Sequence, residues 1–198
     1  KILSGTLPTR LNLHRGRTTQ TNILCRRCGS TAETDLHVLN SCRLQHGLIV
    51  RRHNTIVKKV GRDLHDLGWD VQLERTISVD DERLRPDITA IKDRLCCLID
   101  VAVPYEKNIN RPDERQREKI TKYGIIGRQH IPALQHQPDA RVTVVGLAVG
   151  SAGTITRASE RAFRKLGLGK RSMTSASRIA LAQSAAMWAA FERRQDSP

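Results

Sequence analysis

The chain has no apolar run approaching the ~18 residues that a membrane-crossing helix requires, so no membrane partner is expected. Residues 1–17 carry no secretory signal pattern. The sequence opens mid-pattern at Lys1 without a methionine, which leads us to expect a piece of a larger protein. Cysteines are few and odd in number, five in 198 residues, and unevenly spread. That argues against a disulfide framework and for a reducing, intracellular setting. No internal repeat and no long low-complexity segment is visible, so a repeat array is excluded.

What the two ends lack is acid. Residues 1–62 hold twelve basic residues against two acidic ones, and residues 151–198 hold nine against three. Residues 63–150 reverse the balance, with thirteen against fifteen, inside a chain of formal charge +14. A uniformly basic chain would suggest simple polyanion binding. Carboxylates gathered between two basic arms suggest a divalent metal held close to a bound polyanion. On composition alone, an ordinary middle domain with ordinary surface charge explains the numbers as well.

The chain divides into five stretches. Residues 1–22 form a basic arm or linker with Arg10, Arg15 and Arg17 and the turn formers Gly5, Pro8 and Gly16. Residues 23–45 are a cysteine- and histidine-bearing module. Residues 46–68 are a linker helix, in which Ile49, His53, Ile56, Val60, Leu64 and Leu67 recur at steps of three and four before Gly68 stops it. In residues 69–150, alternation predicts strands over 71–77, 88–91 and 95–103, with Pro104 ending the third. A helix from Pro112 to Tyr123 and a strand over 141–149 follow. Residues 151–198 predict two helices, near 157–166 and 175–194, the second with a stripe of Ile179, Gln183, Ala186 and Ala190. The fold class is α/β, a mixed β-sheet flanked by helices behind a small metal module.

Cys25, Cys28, His37 and Cys42 read C-x2-C-x8-H-x4-C. Three thiolates and an imidazole make a complete tetrahedral zinc set, and so short a segment needs metal to supply its folding energy. Gly29 supplies backbone freedom after the first pair. Arg26 and Arg27, between the first two ligands, would project near a bound phosphate. Cys96 and Cys97 lie inside an apolar strand and belong to the core.

The second constellation is acidic. Asp100 interrupts a strand that is apolar on both faces, where an ionised carboxylate is costly unless paired or metal-bound. If the chain folds back about Asp93–Arg94, Asp87 falls directly opposite Asp100. Facing residues on paired strands have Cβ atoms about 5 Å apart, and like charges there repel. A divalent cation removes that repulsion, and Glu74 on the preceding strand could add a third oxygen. Phosphodiester hydrolysis is the chemistry that uses such a set. Two other readings stay open on the residues alone: Asp100 paired with Arg85, and Asp87 as a turn residue after Pro86.

The order of these motifs resembles the CCHC zinc knuckle and restriction-like endonuclease region of site-specific non-LTR retrotransposon polyproteins, within the PD-(D/E)XK superfamily. The matching residues are Arg85-Pro86-Asp87, twelve residues and then Asp100, with the knuckle upstream. Arg51-Arg52-His53-Asn54 followed by Ile56-Val57 is similar to the family's linker helix. The likeness runs from about Leu7 to Tyr123. It implies Asp87 and Asp100 on Mg²⁺ or Mn²⁺ with Glu74 in support, structural Zn²⁺ in the knuckle, and phosphate contacts from Arg10, Arg15, Arg17, Arg26, Arg27, Arg51 and Arg52. It also implies a nuclear protein that nicks double-stranded target DNA so that an upstream reverse transcriptase can prime, with element RNA as a further partner.

One departure matters. Ala102 stands where the superfamily pattern has lysine, and the retrotransposon branch displaces that lysine to a following helix. Lys119 is the favoured match, Lys122 the second, and Tyr123 lies one turn beyond Lys119. Two alternatives remain: a non-catalytic nucleic-acid-binding module with a degenerate nuclease fold, and a resolvase or repair nuclease of the same superfamily.

Overall fold

The structure is a computed structural model that describes residues 2, 4–15, 22–106, 117–118 and 120–193. Among the described residues, helices run over α1 (Arg10–His14), α2 (His46–Asp66), α3 (Arg157–Lys165) and α4 (Lys170–Arg193), and residues 117–118 and 120–123 are also helical. The start of the helix expected from Pro112 lies outside the described residues. Its strands are β1 (Asp70–Leu73), β2 (Ile77–Val79), β3 (Glu82–Leu84), β4 (Ile88–Lys92), β5 (Leu95–Ala102) and β6 (Arg141–Ala148). Strands β1-β4-β5-β6 form a mixed sheet, and β2-β3 form a separate hairpin. The β1–β4 and β4–β5 pairs are antiparallel, while β5 and β6 run parallel. No described helix is long and apolar enough to cross a membrane.

Strand β5 is covered on both faces, and its alternation sorts the core into two layers. Cys97, Ile99 and Val101 face α2, α3 and α4 with Ile56, Val60, Leu64 and Phe163. Cys96 and Leu98 face the β2-β3 hairpin, Tyr123 and Ile126. By the same alternation Asp100 belongs to the Tyr123 side. Burial pushes the Cys96 thiol up to about 12 and the Cys97 thiol up to about 11, as expected for inert core residues. Helix α2 carries the expected 3.6-residue stripe. Ile56, Val60 and Leu64 are each 1% exposed or less, and Gly68 ends the element with φ 82°.

Three expectations from the sequence are corrected. Residues 71–77 are not one strand: Glu74 takes a left-handed backbone (φ 52°), so β1 stops at Leu73 and residue 77 begins the hairpin instead. The buried stripe of the last helix is Ala176, Ala180, Ser184, Met187, Trp188 and Phe191, not Ile179, Gln183, Ala186 and Ala190. Its small residues let α4 lie close against α2. The described part of residues 1–22 is not loose. Leu7 and Thr9 are buried, the Thr9 hydroxyl caps α1 by accepting the Asn12 N–H, and Asp35 accepts from Leu7, Thr9 and Asn12.

Candidate metal centres and the basic surface

The knuckle is built by local hydrogen bonds. The Gly29 N–H donates to the Cys25 carbonyl at 2.8 Å, and Gly29 sits at φ 64°, a conformation a side chain would resist. A π-helical turn over His37–Ser41 closes when the Cys42 N–H donates to the His37 carbonyl at 2.7 Å. The ligand atoms of Cys25, Cys28, His37 and Cys42 all lie within 4.8 Å of one another, and Cys28 Sγ is 3.2 Å from His37 Nε2. A tetrahedron on Zn–S bonds of about 2.3 Å has edges near 3.8 Å, so this set could hold zinc. His37 Nδ1 is 3.0 Å from the Thr31 hydroxyl, which orients the ring with Nε2 toward the thiols. Burial opposes ionisation of Cys28, but hydrogen bonds from Ser30, Cys25 and His37 bring its thiol down to about 6. Burial, with the nearby Cys25 and Cys28 sulfurs, pushes Cys42 up to about 11.

This module is not a bead on a string. Leu7, Cys25, Val38, Leu39 and Cys42 share one apolar cluster with Tyr105 and with Met187, Trp188 and Phe191 of α4.

Asp87 and Asp100 lie at one end of the β4–β5 ladder. Ile88 pairs with Ile99, and the same register carried one position outward would set Asp87 against Asp100. Strand β4 has ended there, and the Asp87 carboxylate takes over as acceptor: the Val101 N–H donates to its Oδ2 at 2.7 Å. Asp100 is 2% exposed. Tyr123, 1% exposed, reaches this end of the sheet and donates its hydroxyl proton to the Arg85 carbonyl at 3.0 Å. Burial, the adjacent Asp100 carboxylate with its hydrogen bond, and the Asp87 charge all raise the phenol above its ordinary range. The Lys122 ammonium donates to the Tyr123 hydroxyl at 3.3 Å and lies 4.9 Å from the ring centroid. Lys119 lies outside the described residues. The Glu74 N–H donates to the Asp87 carbonyl at 2.9 Å, while its carboxylate, half exposed, is bound by Arg85.

The residue that sequence reasoning missed is His53. From α2 its Nε2 lies 3.2 Å from Asp87 Oδ2 and 3.1 Å from the Val101 carbonyl, while Nδ1 is 3.0 Å from Asn54 Oδ1. Burial opposes its charge, but Asp87 and Asn54 raise its pKa to about 9. Its signal was present in the α2 stripe, where a histidine sits among aliphatic residues.

The arginines divide. Arg51 and Arg15 are exposed and remain available to a phosphate, and Arg17 lies outside the described residues. Arg10 is half-buried and donates to the Leu24 carbonyl at 2.9 Å. Three others make ties inside the protein, and only Arg52 is fully buried. The Arg26 guanidinium lies 2.5 Å from Glu33, a fully buried carboxylate. Burial alone would raise the Glu33 pKa, yet its bonds to Arg26 and the Arg10 N–H hold it below the ordinary value. Arg27 donates to the Ala190 and Phe191 carbonyls at the end of α4. Arg52 is fully buried, bonded to Ser184 Oγ at 2.7 Å, and burial lowers its guanidinium to about 10. The electropositive look of these three in the sequence reflects internal ties.

No family model matches the chain. It is 31% identical over 143 residues, 72% of its length, to the retrovirus-related Pol polyprotein from type-1 retrotransposable element R2 of Nasonia vitripennis. It is 28% identical over 123 residues, 62% of its length, to that from type-2 retrotransposable element R2DM of Drosophila melanogaster. A third relative, the type-1 R2 Pol polyprotein of Popillia japonica, is 27% identical over 133 residues, 66% of the chain. The matched regions span 14%, 11% and 27% of those proteins. The homologues of this chain are thus R2 retrotransposon Pol polyproteins, at modest identity, each matched over one segment.

Proposed function

We propose that this chain is a metal-dependent DNA endonuclease module, with a restriction-like PD-(D/E)XK core, that nicks target DNA for priming by a reverse transcriptase in the same polyprotein. The observation that carries the reading is the β4–β5 register, which ends at Ile88 opposite Ile99 and so leads Asp87 and Asp100 to one end of the sheet, where Tyr123 lies with Lys122 on its hydroxyl. Two carboxylates suit Mg²⁺ or Mn²⁺, which keeps several waters and completes its shell with substrate phosphate. Such a cation would polarise the phosphoryl oxygen and supply hydroxide at neutral pH.

The protein groups have separate tasks in this reading. Asp87 and Asp100 hold the cation, and their mutual repulsion in its absence favours binding. Lys122 offsets charge that grows on the phosphoryl group, and Tyr123 holds the lysine over the site. The knuckle binds structural zinc and braces α4. Exposed Arg15 and Arg51 contact the backbone of double-stranded DNA or element RNA, and the module works in the nucleus. Homology to polyproteins supports the link to a reverse transcriptase.

Cleavage of a supercoiled plasmid with and without Mg²⁺ tests the reading. Asp87→Ala and Asp100→Ala should each abolish Mg²⁺-dependent nicking while DNA binding persists. An unmodified chain that binds DNA but never nicks it would favour the non-catalytic module instead, a reading that Ala102 in the usual lysine position keeps in view.

A further inference from the structure

We infer that His53 is a positioning residue that fixes which oxygen of Asp87 is offered to a divalent cation. The inference rests on the reading of Asp87 and Asp100 as a cation site, and it assigns to α2 a part in that site.

The geometry runs through three elements. His53 leaves α2 four residues before Val57, which is packed in the core, and three before Ile56, which is fully buried. The ring is therefore anchored by a rigid stripe. Its Nε2 faces two acceptors at once, Asp87 Oδ2 at 3.2 Å and the Val101 carbonyl at 3.1 Å, so that nitrogen must carry the proton. The Val101 N–H donates to the same Oδ2 at 2.7 Å. Two donors thus converge on Oδ2, and no hydrogen bond from the described residues falls on Oδ1. The carboxylate is held by one oxygen and presents the other.

This arrangement separates positioning from catalysis. A general base needs a nitrogen lone pair toward the water it deprotonates. The Nε2 of His53 is occupied as a donor, and Nδ1 lies against the Asn54 side chain. His53 acts through Asp87, as hydrogen-bonded partners of metal carboxylates do, and loss of such a partner typically weakens metal affinity about 10- to 100-fold. The side chains of His53 and Asp87 are 28% and 17% exposed, so a cation can reach the carboxylate without unfolding the helix.

The test is calorimetric titration of the full chain with Mn²⁺ after zinc loading, paired with thermal melting and with the Mg²⁺ dependence of single-turnover nicking. His53→Leu removes the donor at similar volume, and His53→Gln keeps an N–H near the Nε2 position. We expect His53→Leu to weaken Mn²⁺ binding about 10- to 100-fold and to shift half-maximal nicking to correspondingly higher Mg²⁺, with His53→Gln recovering most of the loss. Parent-like Mn²⁺ affinity in His53→Leu overturns the inference alone. Equal loss in both variants, with lowered melting temperatures, assigns His53 to packing and also overturns it. If the parent chain binds no Mn²⁺ that Asp87→Ala abolishes, the cation site itself is wrong and this inference falls with it.

Discussion

Phe191→Ala probes whether the knuckle and the sheet are one folding unit. Phe191 is 1% exposed at the end of α4. Its ring stacks on Trp188 at 5.5 Å between centroids, and the guanidinium carbons of Arg26 and Arg27 lie 5.5 and 5.4 Å from its centroid. It therefore touches the two residues between the first knuckle cysteines and the helix that spans the core. Truncating a buried phenylalanine costs about 3–5 kcal/mol through lost burial and a residual cavity. In a chain of this size each kcal/mol moves the midpoint by roughly 2–4 °C, so the melting temperature should fall by about 6–20 °C. Calorimetry of zinc-loaded protein gives that shift, and a chromogenic chelator gives the rate of zinc release, which should rise in the variant. Leu44→Ala, at a position 56% exposed, is the control and should move neither. A midpoint within about 2 °C of the parent and unchanged zinc release would refute the reasoning, because the knuckle would then be an independent bead.

Lys122→Ala should slow single-turnover nicking roughly 10²–10³-fold with little change in DNA affinity, and parallel measurement of Lys119→Ala decides which lysine serves the site. Arg51→Ala should weaken binding to all DNA sequences alike and reduce the salt slope by about 1. Arg52→Ala should instead lower the melting temperature and leave the salt slope alone, since its guanidinium faces Ser184 rather than solvent. Cys42→Ser should reduce the zinc content found by elemental analysis below the parent's. It should also destabilise α4 as well as the N-terminal segment, because Cys42 shares a cluster with Met187 and Trp188.

Local chemistry was legible from the sequence. The four knuckle ligands lie within eighteen residues, where turn geometry alone brings them together, and their spacing announced the cluster that forms. The β4–β5 register, which points Asp87 toward Asp100, follows from the position of one tight turn, because in an antiparallel hairpin the turn sets every facing pair. The α2 stripe was readable because its period is intrinsic to the helix.

Tertiary structure decided the rest. Arg26, Arg27, Arg51 and Arg52 look alike as charges, yet Arg27 is claimed by carbonyls 163 and 164 residues away and Arg52 by a serine 132 residues away. Composition specifies that a cation is present, and only the fold supplies the partner that takes it out of water. Glu74 ends β1 through its own left-handed backbone and meets Arg85, eleven residues on. His53 entered the site because packing of α2 on the sheet brings it to an aspartate 34 residues on, a distance no local pattern encodes. Residues close in sequence meet through backbone geometry that the chain carries with it, whereas distant ones meet only where burial of apolar surface pulls their elements together.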